Sequence, residues 1–341
     1  MRYDVTIGIP MYNVENFIER TMESALSQSY PNIEFLVVDD GSTDNSVCLV
    51  QELIETHPRG KDIRLVSLSH NYGPAHTRNL IIEEAKGNYL YFMDADDVIK
   101  ESTISLMMRW VHQDNADIVF GSMEKISLSG KITLYQYPEM HFSEENDFPI
   151  YAYRKYAGIQ ASACNILINL SVIRKNELRF FDSNYWEDFV FVLDLVTYFS
   201  HAVLLPDITY TYCCRENSLS NFQVRNQIEK SEVFRNIGVA EYMKKGCQRL
   251  RTTPYYPQRC YIASMTYFYI ACNILKNRKL IVPEMTNREI ALLFSHPATF
   301  REICSFNKCR VRNIFLYILG NLPSSVCVFV VWFLGKIKKL I

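Results

Sequence analysis

The sequence predicts an α/β protein: a sheet with helices on both faces, followed by a helical extension. Three observations carry this. Over the first hundred residues, short β-rich runs alternate with segments of helical periodicity. The runs are almost continuously apolar, as strands buried on both faces must be. Their carboxyl ends carry Pro10, Asp39-Asp40, Asn71-Tyr72-Gly73 and Asp94-Ala95-Asp96, so polar and turn-forming residues collect along one edge, where open parallel sheets bind ligands.

Element by element, residues 5–9 read as a strand stopped by Pro10. Across 13–27, Val14, Phe17, Ile18, Met22, Ala25 and Leu26 recur at helical spacing, with Pro31 beyond the end. Residues 33–38 form a strand, apolar apart from Glu34, and Ser42 or Thr43 is the expected cap of a helix running to about 56. A third strand spans 63–68, a helix 77–85 closes at Gly87, and a fourth strand spans 89–93. Further on, 117–121 and 131–137 read as strands, 165–174 as strand or short helix, and 189–199 as helix. From about 231 to 281 the pattern is helical and rich in aromatics. The expected organisation is an α/β domain over 1–220, with halves 1–105 and 106–220, a helical extension over 221–312, and an apolar and basic segment over 313–341.

Composition narrows the function. An apolar content of 48% with 13% aromatics excludes a disordered chain. Lys plus Arg (36) nearly balance Asp plus Glu (37), so no global field draws the protein to nucleic acid. The ten cysteines have no zinc-type C-x-x-C spacing, and Cys48, Cys164 and Cys272 lie in apolar periodic stretches, which points to a reducing, cytoplasmic setting. The first ten residues enter a strand at once and contain no signal-peptide core.

The fourth strand ends in Asp94, Asp96 and Asp97. Three carboxylates at one strand tip repel one another unless counter-charge is supplied, and Mg²⁺ or Mn²⁺ is the expected source because hard cations prefer oxygen ligands shared with phosphates. Strand alternation would put Asp94 and Asp96 on the same side, leaving Asp97 to cap the next helix.

Five segments occur in order and in register: Ile9-Pro10-Met11-Tyr12-Asn13, Val38-Asp39-Asp40-Gly41-Ser42-Thr43-Asp44, Gly73-Pro74-Ala75-His76-Thr77-Arg78-Asn79, Ala85-Lys86-Gly87 and Asp94-Ala95-Asp96-Asp97. Together they resemble the nucleotide-sugar half of a family 2 glycosyltransferase of the GT-A fold, of the bacterial polysaccharide-synthesis type. The likeness continues through Trp186-Glu187-Asp188 and Arg215-Glu216-Asn217-Ser218, so it covers about residues 4–220. The resemblance implies a mixed, Rossmann-like nucleotide-binding sheet and a metal-dependent inverting transferase of hexosyl type. Its donor would be a nucleotide sugar, UDP being commonest in the family, and its acceptor a glycan or lipid-linked glycan. It implies that Pro10 and Tyr12 lie along the nucleoside, Asp40 reads the base, Asp94 stands near the ribose and Asp96 ligates Mg²⁺ or Mn²⁺. Arg78 and Arg215 would balance the diphosphate, although Arg78 also reads as a surface helix charge. Asp188 would be the base. Two departures from the family pattern are Cys164-Asn165-Ile166, where relatives often have a basic residue, and Tyr212-Cys213-Cys214-Arg215, where an aromatic-x-Arg run is usual.

His70 and His76 are not spaced as a metal pair and read as polar loop residues, with His76 a candidate for substrate contact. A nucleotidyltransferase would need a Gly-rich phosphate loop after the first strand, where Pro10-Met11-Tyr12-Asn13 stands. A non-catalytic sugar-nucleotide binder of the same fold would be expected to lack Asp96 or Asp188, and both are present. Residues 314–334 are nearly all apolar and are followed by Gly335-Lys336-Ile337-Lys338-Lys339, but Asn321, Pro323, Ser324 and Ser325 interrupt them. An interfacial hairpin or amphipathic helix, anchored by Trp332 and the lysines at the inner face of the cell membrane, fits better than a clean crossing; a helix packed on the protein's own core is the other option.

Overall fold

The computed structural model describes residues 3–154, 159–183, 186–215 and 227–341. The chain divides into two compact units. The first comprises Met1–Phe148, Gln160–Asp182 and Phe191–Asn221; the second comprises Pro149–Ile159, Ser183–Val190 and Phe222–Ile341.

The first unit is built on a ten-stranded mixed sheet. Its strands are β1 (Tyr3–Met11), β2 (Ile33–Asp39), β3 (Ile63–Ser67), β4 (Gly87–Phe92), β5 (Val98–Ile99), β6 (Ile118–Ile126), β7 (Ile132–Tyr135), β8 (Met140–Phe142), β9 (Ile166–Asn169) and β10 (Ala202–Cys213). The order is β3-β2-β1-β4-β9-β6-β10-β5, with β7 beside β6 and β8 beside β10. The first four strands are parallel, β9 enters antiparallel between β4 and β6, and β6 and β10 are parallel again. Helices α1 (Ile18–Leu26), α2 (Ser46–Thr56) and α3 (Pro74–Glu84) follow strands in the alternation the sequence predicts, and α4 (Thr103–Asp114), which the sequence reading does not assign, follows β5.

All seven residues of β2 are buried, including Glu34. That carboxylate accepts from Thr6 Oγ1 at 2.6 Å, Arg64 Nε at 3.0 Å and the Lys86 amide at 2.8 Å, so the one charge in the apolar run is fully engaged. α3 lies so close to β1 that a Cβ on Gly8 would come within 2.4 Å of the Ile81 side chain.

Several local expectations are corrected. Pro10 does not stop β1, which runs on to Met11. β1 pairs with β2 through Met11 but with β4 only through Gly8, and by parity Pro10 faces the β4 side, where its missing N–H costs no ladder bond. The first helix begins at Ile18 rather than at 13, because Asn13 takes a left-handed φ of 48°. Neither Ser42 nor Thr43 caps the second helix; Asn45 is its cap position, and Asp44 Oδ1 accepts from the Ser46 amide. Residues 166–175 are both strand and helix, β9 followed by α6 (Leu170–Lys175), after α5 (Asp147–Arg154). The sequence reading assigns no strand to 202–213, where the twelve-residue β10 runs beside β6. Pro206 lies at an irregularity in that pairing, between Leu204 and Ile208.

After α7 (Glu187–Leu195), the second unit contributes α8 (Lys230–Cys247), α9 (Tyr256–Lys276), α10 (Asn287–Leu292), α11 (Phe300–Ser305), α12 (Arg310–Gly320) and α13 (Ser324–Ile337). α9 is buried around most of its circumference, which is what a helix without a polar face requires. α8, α12 and α13 pack against it, and α13 also packs on α10. α10 and α11 each open with a complete capping box, Thr286 with Glu289 and Thr299 with Glu302. The apolar C-terminal segment is therefore two helices separated by 321–323. Among the described residues, no helix is long and apolar enough to cross a membrane.

Candidate active site at the carboxyl edge of the sheet

The loops that follow β1, β2 and β3 are tied together by side chains that reach across sequence. The Asn13 amide donates to Ser42 Oγ at 3.0 Å, and Asn13 Oδ1 accepts from the Thr43 amide at 2.8 Å. The Val14 amide donates to Ser46 Oγ and the Glu15 amide to Asp44 Oδ2. Gly41 has φ of 74°, and a Cβ there would lie 2.7 Å from the His70 backbone, so the β2 and β3 loops meet only because this residue is glycine. Asp40 is buried, and its two oxygens accept from the Tyr72 and Gly73 amides, each at 2.8 Å. Each oxygen keeps a second lone pair. Pro10 is half-buried at the end of β1, and Tyr12 beyond it is 43% exposed. His70, Tyr72 and His76 form a ring stack, with centroids 3.8 Å and 4.6 Å apart.

The acid cluster after β4 is arranged differently from the expectation. β4 ends at Phe92, so Asp94–Asp97 lie in a turn closed by the Asp97 amide on the Asp94 carbonyl at 3.2 Å, and strand alternation does not govern their directions. Asp94 Oδ1 pairs with Arg78 Nη2 at 3.0 Å. Arg78 is 5% exposed and lies over the Phe180 ring, so it is no surface helix charge. Asp96 pairs with Arg215 Nε, and Arg20 Nη2 donates to the Asp96 carbonyl at 2.8 Å. Burial and then the Asp94 charge raise the Asp96 carboxyl, while Arg215 pulls it back.

Asp97 is fully buried and does not cap the following helix, whose cap position is Ser102. It binds β10 instead, accepting from Tyr210 Oη at 2.6 Å and the Cys213 amide at 2.7 Å. Burial, followed by Asp94 and Asp96, pushes its carboxyl up to about 8. The unfolded-state value is near 4, so between pH 4 and 8 the folded chain holds a proton that the unfolded chain releases. This contribution to stability is complete below about pH 4 and is lost as pH rises through about 8. In chelator-containing buffer the stability of the wild type should therefore fall as pH is raised from 5 to 8.5, by at most about 1.4 kcal/mol per pH unit, and its melting temperature with it. Asp97→Asn should flatten that profile in differential scanning fluorimetry; parallel profiles would contradict the assignment.

Arg78 and Arg215 thus supply counter-charge that the sequence argument assigned to a metal alone. Among the described residues no three His, Cys, Asp or Glu side chains form a ready-made cation cage. Mg²⁺ commonly takes only one or two carboxylates and completes its shell with phosphates and water, and Asp96, destabilised as an anion by burial, is of the type that gains from such an ion.

Asp188 belongs to the second unit, within Ser183–Val190, and occupies the first turn of α7 beside Glu187, where acids suit the helix dipole. Trp186, just before it, has φ of 77° and meets Phe189 edge-on at 5.7 Å. Glu216, Asn217 and Ser218 lie outside the described residues. The sequence reading missed Tyr210, whose hydroxyl also accepts from the Asp94 amide at 3.2 Å. It missed Asn165 too, a buried hub between Tyr91 Oη, Thr209 Oγ1 and the Gly121 and Ser122 carbonyls. Only the recognition of β10 would have found Tyr210.

Residues 6–175 match the sequence profile of Glycosyl transferase family 2. An uncharacterized glycosyltransferase of Haemophilus influenzae is 33% identical over 126 residues, 37% of this chain and 49% of that protein, so the chain matches about half of that relative's length. An Escherichia coli protein named UDP-Glc:alpha-D-GlcNAc-diphosphoundecaprenol beta-1,3-glucosyltransferase WfaP is 27% identical over 245 residues, 71% of this chain and 90% of that one. The crystal structure of S. aureus TarS 1-349 in complex with UDP-GlcNAc shares the fold, with a TM-score of 0.66 at 17% identity over 93% of this chain and 90% of that one. With the family's profile over the parallel strands and a mixed sheet of the GT-A fold beneath the acid cluster, the chain belongs to glycosyl transferase family 2.

Proposed function

We propose that the protein is a metal-dependent inverting glycosyltransferase. It would move a sugar from a nucleotide sugar, a UDP-sugar in the first instance, to a hydroxyl of a glycan acceptor in cell-surface polysaccharide synthesis. The observation that carries this reading is the turn after β4, where Asp94 and Asp96 stand among basic side chains at the sheet edge that binds ligands in open α/β folds. The name of the WfaP relative, with its UDP-Glc donor and lipid diphosphate acceptor, supports a UDP donor and a lipid-linked acceptor.

In this reading Pro10, Tyr12 and Asp40 hold the nucleoside, and Asp94 lies near the ribose. Asp96 would be the protein ligand of Mg²⁺ or Mn²⁺, which when bound supplies charge stabilisation to the departing nucleoside diphosphate. Arg215 and Arg78 would face the diphosphate oxygens, a task the planar guanidinium suits because it can bridge two of them. Asp188 would accept the proton of the acceptor hydroxyl as its oxygen bonds to the anomeric carbon from the side opposite the leaving group, which inverts that centre. Peripheral contact through 313–341 with the inner face of the cell membrane would bring the enzyme to such an acceptor.

The test is to incubate the purified protein with a panel of nucleotide sugars, in Mn²⁺ or in EDTA, and to record nucleoside diphosphate release. One UDP-sugar should be turned over, and only with Mn²⁺. Absence of turnover across the panel would overturn the enzymatic reading, and equal turnover in EDTA would remove the metal from it.

A further inference from the structure

We infer that α12 and α13 form a docking hairpin that lies flat in the headgroup region of an anionic bilayer. This deepens the membrane contact of the proposed function and needs no assumption about the sugar chemistry. Both helices turn one stripe inward: Asn313, Leu316 and Leu319 on α12, and Cys327, Val328 and Val331 on α13, are buried where the two helices pack on α9. The opposite stripes are apolar. Val311, Phe315 and Ile318, at i, i+4 and i+7, are 79%, 45% and 51% exposed, and Phe329, Phe333 and Ile337, at i, i+4 and i+8, are 61%, 51% and 63% exposed. Each outer stripe looks away from the helices its own inner stripe packs on, α9 for α12 and α9 with α10 for α13. A soluble protein rarely leaves so many large apolar side chains exposed within one short stretch of chain unless something covers them.

Charge selects the occupant. From 303 to 341 the sequence has no Asp or Glu and six bases, Lys308, Arg310, Arg312, Lys336, Lys338 and Lys339. Lys336 Nζ lies 5.9 Å from the Trp332 ring centroid, so an aromatic ring and a cation sit together beside the apolar stripe. That pairing suits a headgroup boundary, where the ring takes the apolar side and the ammonium reaches the phosphates. A second copy docked face to face would bring two such cationic surfaces together, whereas an anionic leaflet complements them. Neither helix is long enough to cross, so the hairpin lies in the plane.

The experiment is flotation of the full chain with vesicles of phosphatidylcholine alone, or of phosphatidylcholine mixed with phosphatidylglycerol, with Trp fluorescence and solution mass measured alongside. The wild type should float at least about tenfold more with the anionic vesicles, with a blue shift in emission and a monomeric mass without lipid. Phe329→Glu with Phe333→Glu should abolish flotation while circular dichroism and donor turnover persist. Replacing Lys336, Lys338 and Lys339 with serine should remove the preference for phosphatidylglycerol. Failure of the wild type to float, equal flotation with both vesicles, or a dimer that the glutamate variant breaks apart would each overturn the inference. Donor turnover is read separately, so loss of docking and failure of the transferase reading are distinguishable.

Discussion

Asp188→Asn should lower kcat for sugar transfer by roughly 10²–10⁴, the range typical of a lost general base, while donor affinity changes by less than about threefold. Asparagine has the shape of the aspartate but cannot take the proton from the acceptor hydroxyl. Asp188 lies in the first turn of α7, where the lost charge costs about 0.3–1 kcal/mol of helix-dipole stabilisation, and Glu187 beside it retains the same favourable sign. Trp186, two residues earlier, is held at φ of 77°, a conformation that costs a bulky side chain on the order of 1–3 kcal/mol. Strain of that size, kept immediately before an acid at a helix start, motivates the assignment. The measurement pairs steady-state nucleoside diphosphate release with titration of the same donor by calorimetry. A fall in both would place Asp188 in the donor site and end its role as base. Unchanged turnover would end it as well.

How legible this architecture is in the sequence depends on how local its causes are. β1 to β4 can be placed to within a few residues because strands buried on both faces leave continuous apolar runs, and Glu34 interrupts one only because Thr6, Arg64 and the Lys86 amide satisfy it. The start of the first helix cannot be placed this way. Asn13 satisfies helical periodicity, yet its amide and side chain are spent on Ser42 and Thr43 some thirty residues away, a competition that a local window cannot see. Asp97 is the sharper case. Its neighbours suggest a helix cap, but its partner Tyr210 lies 113 residues further on, in a strand disguised by Pro206. Arg78 is ambiguous for the same reason, since the Phe180 ring it lies over comes about a hundred residues later in the chain. The positions of candidate site residues at the sheet edge are therefore readable from sequence, while their partners are set by long-range packing.

Those partners set the second large effect. Asp96→Asn should reduce transfer by about 10³-fold and abolish the Mn²⁺-dependent part of donor binding, since a metal's charge stabilisation in such reactions amounts to several kcal/mol. The same substitution should cost little stability, at most about 1 kcal/mol, because Asp96 already carries a raised carboxyl and its partner Arg215 is 25% exposed and can turn to water. Asp94→Asn makes the contrast. Arg78 has a side chain only 7% exposed, so neutralising Asp94 weakens a 3.0 Å charged hydrogen bond to a buried guanidinium, a loss of about 1.5–3 kcal/mol. The two variants should therefore separate: Asp96→Asn folded and inactive, Asp94→Asn visibly less stable by thermal melting. Calorimetric titration of the donor in Mn²⁺ and in EDTA completes the comparison. If Asp96→Asn lowers affinity equally in both, the carboxylate acts on the donor directly or through Arg215, and the ion has no part in holding it.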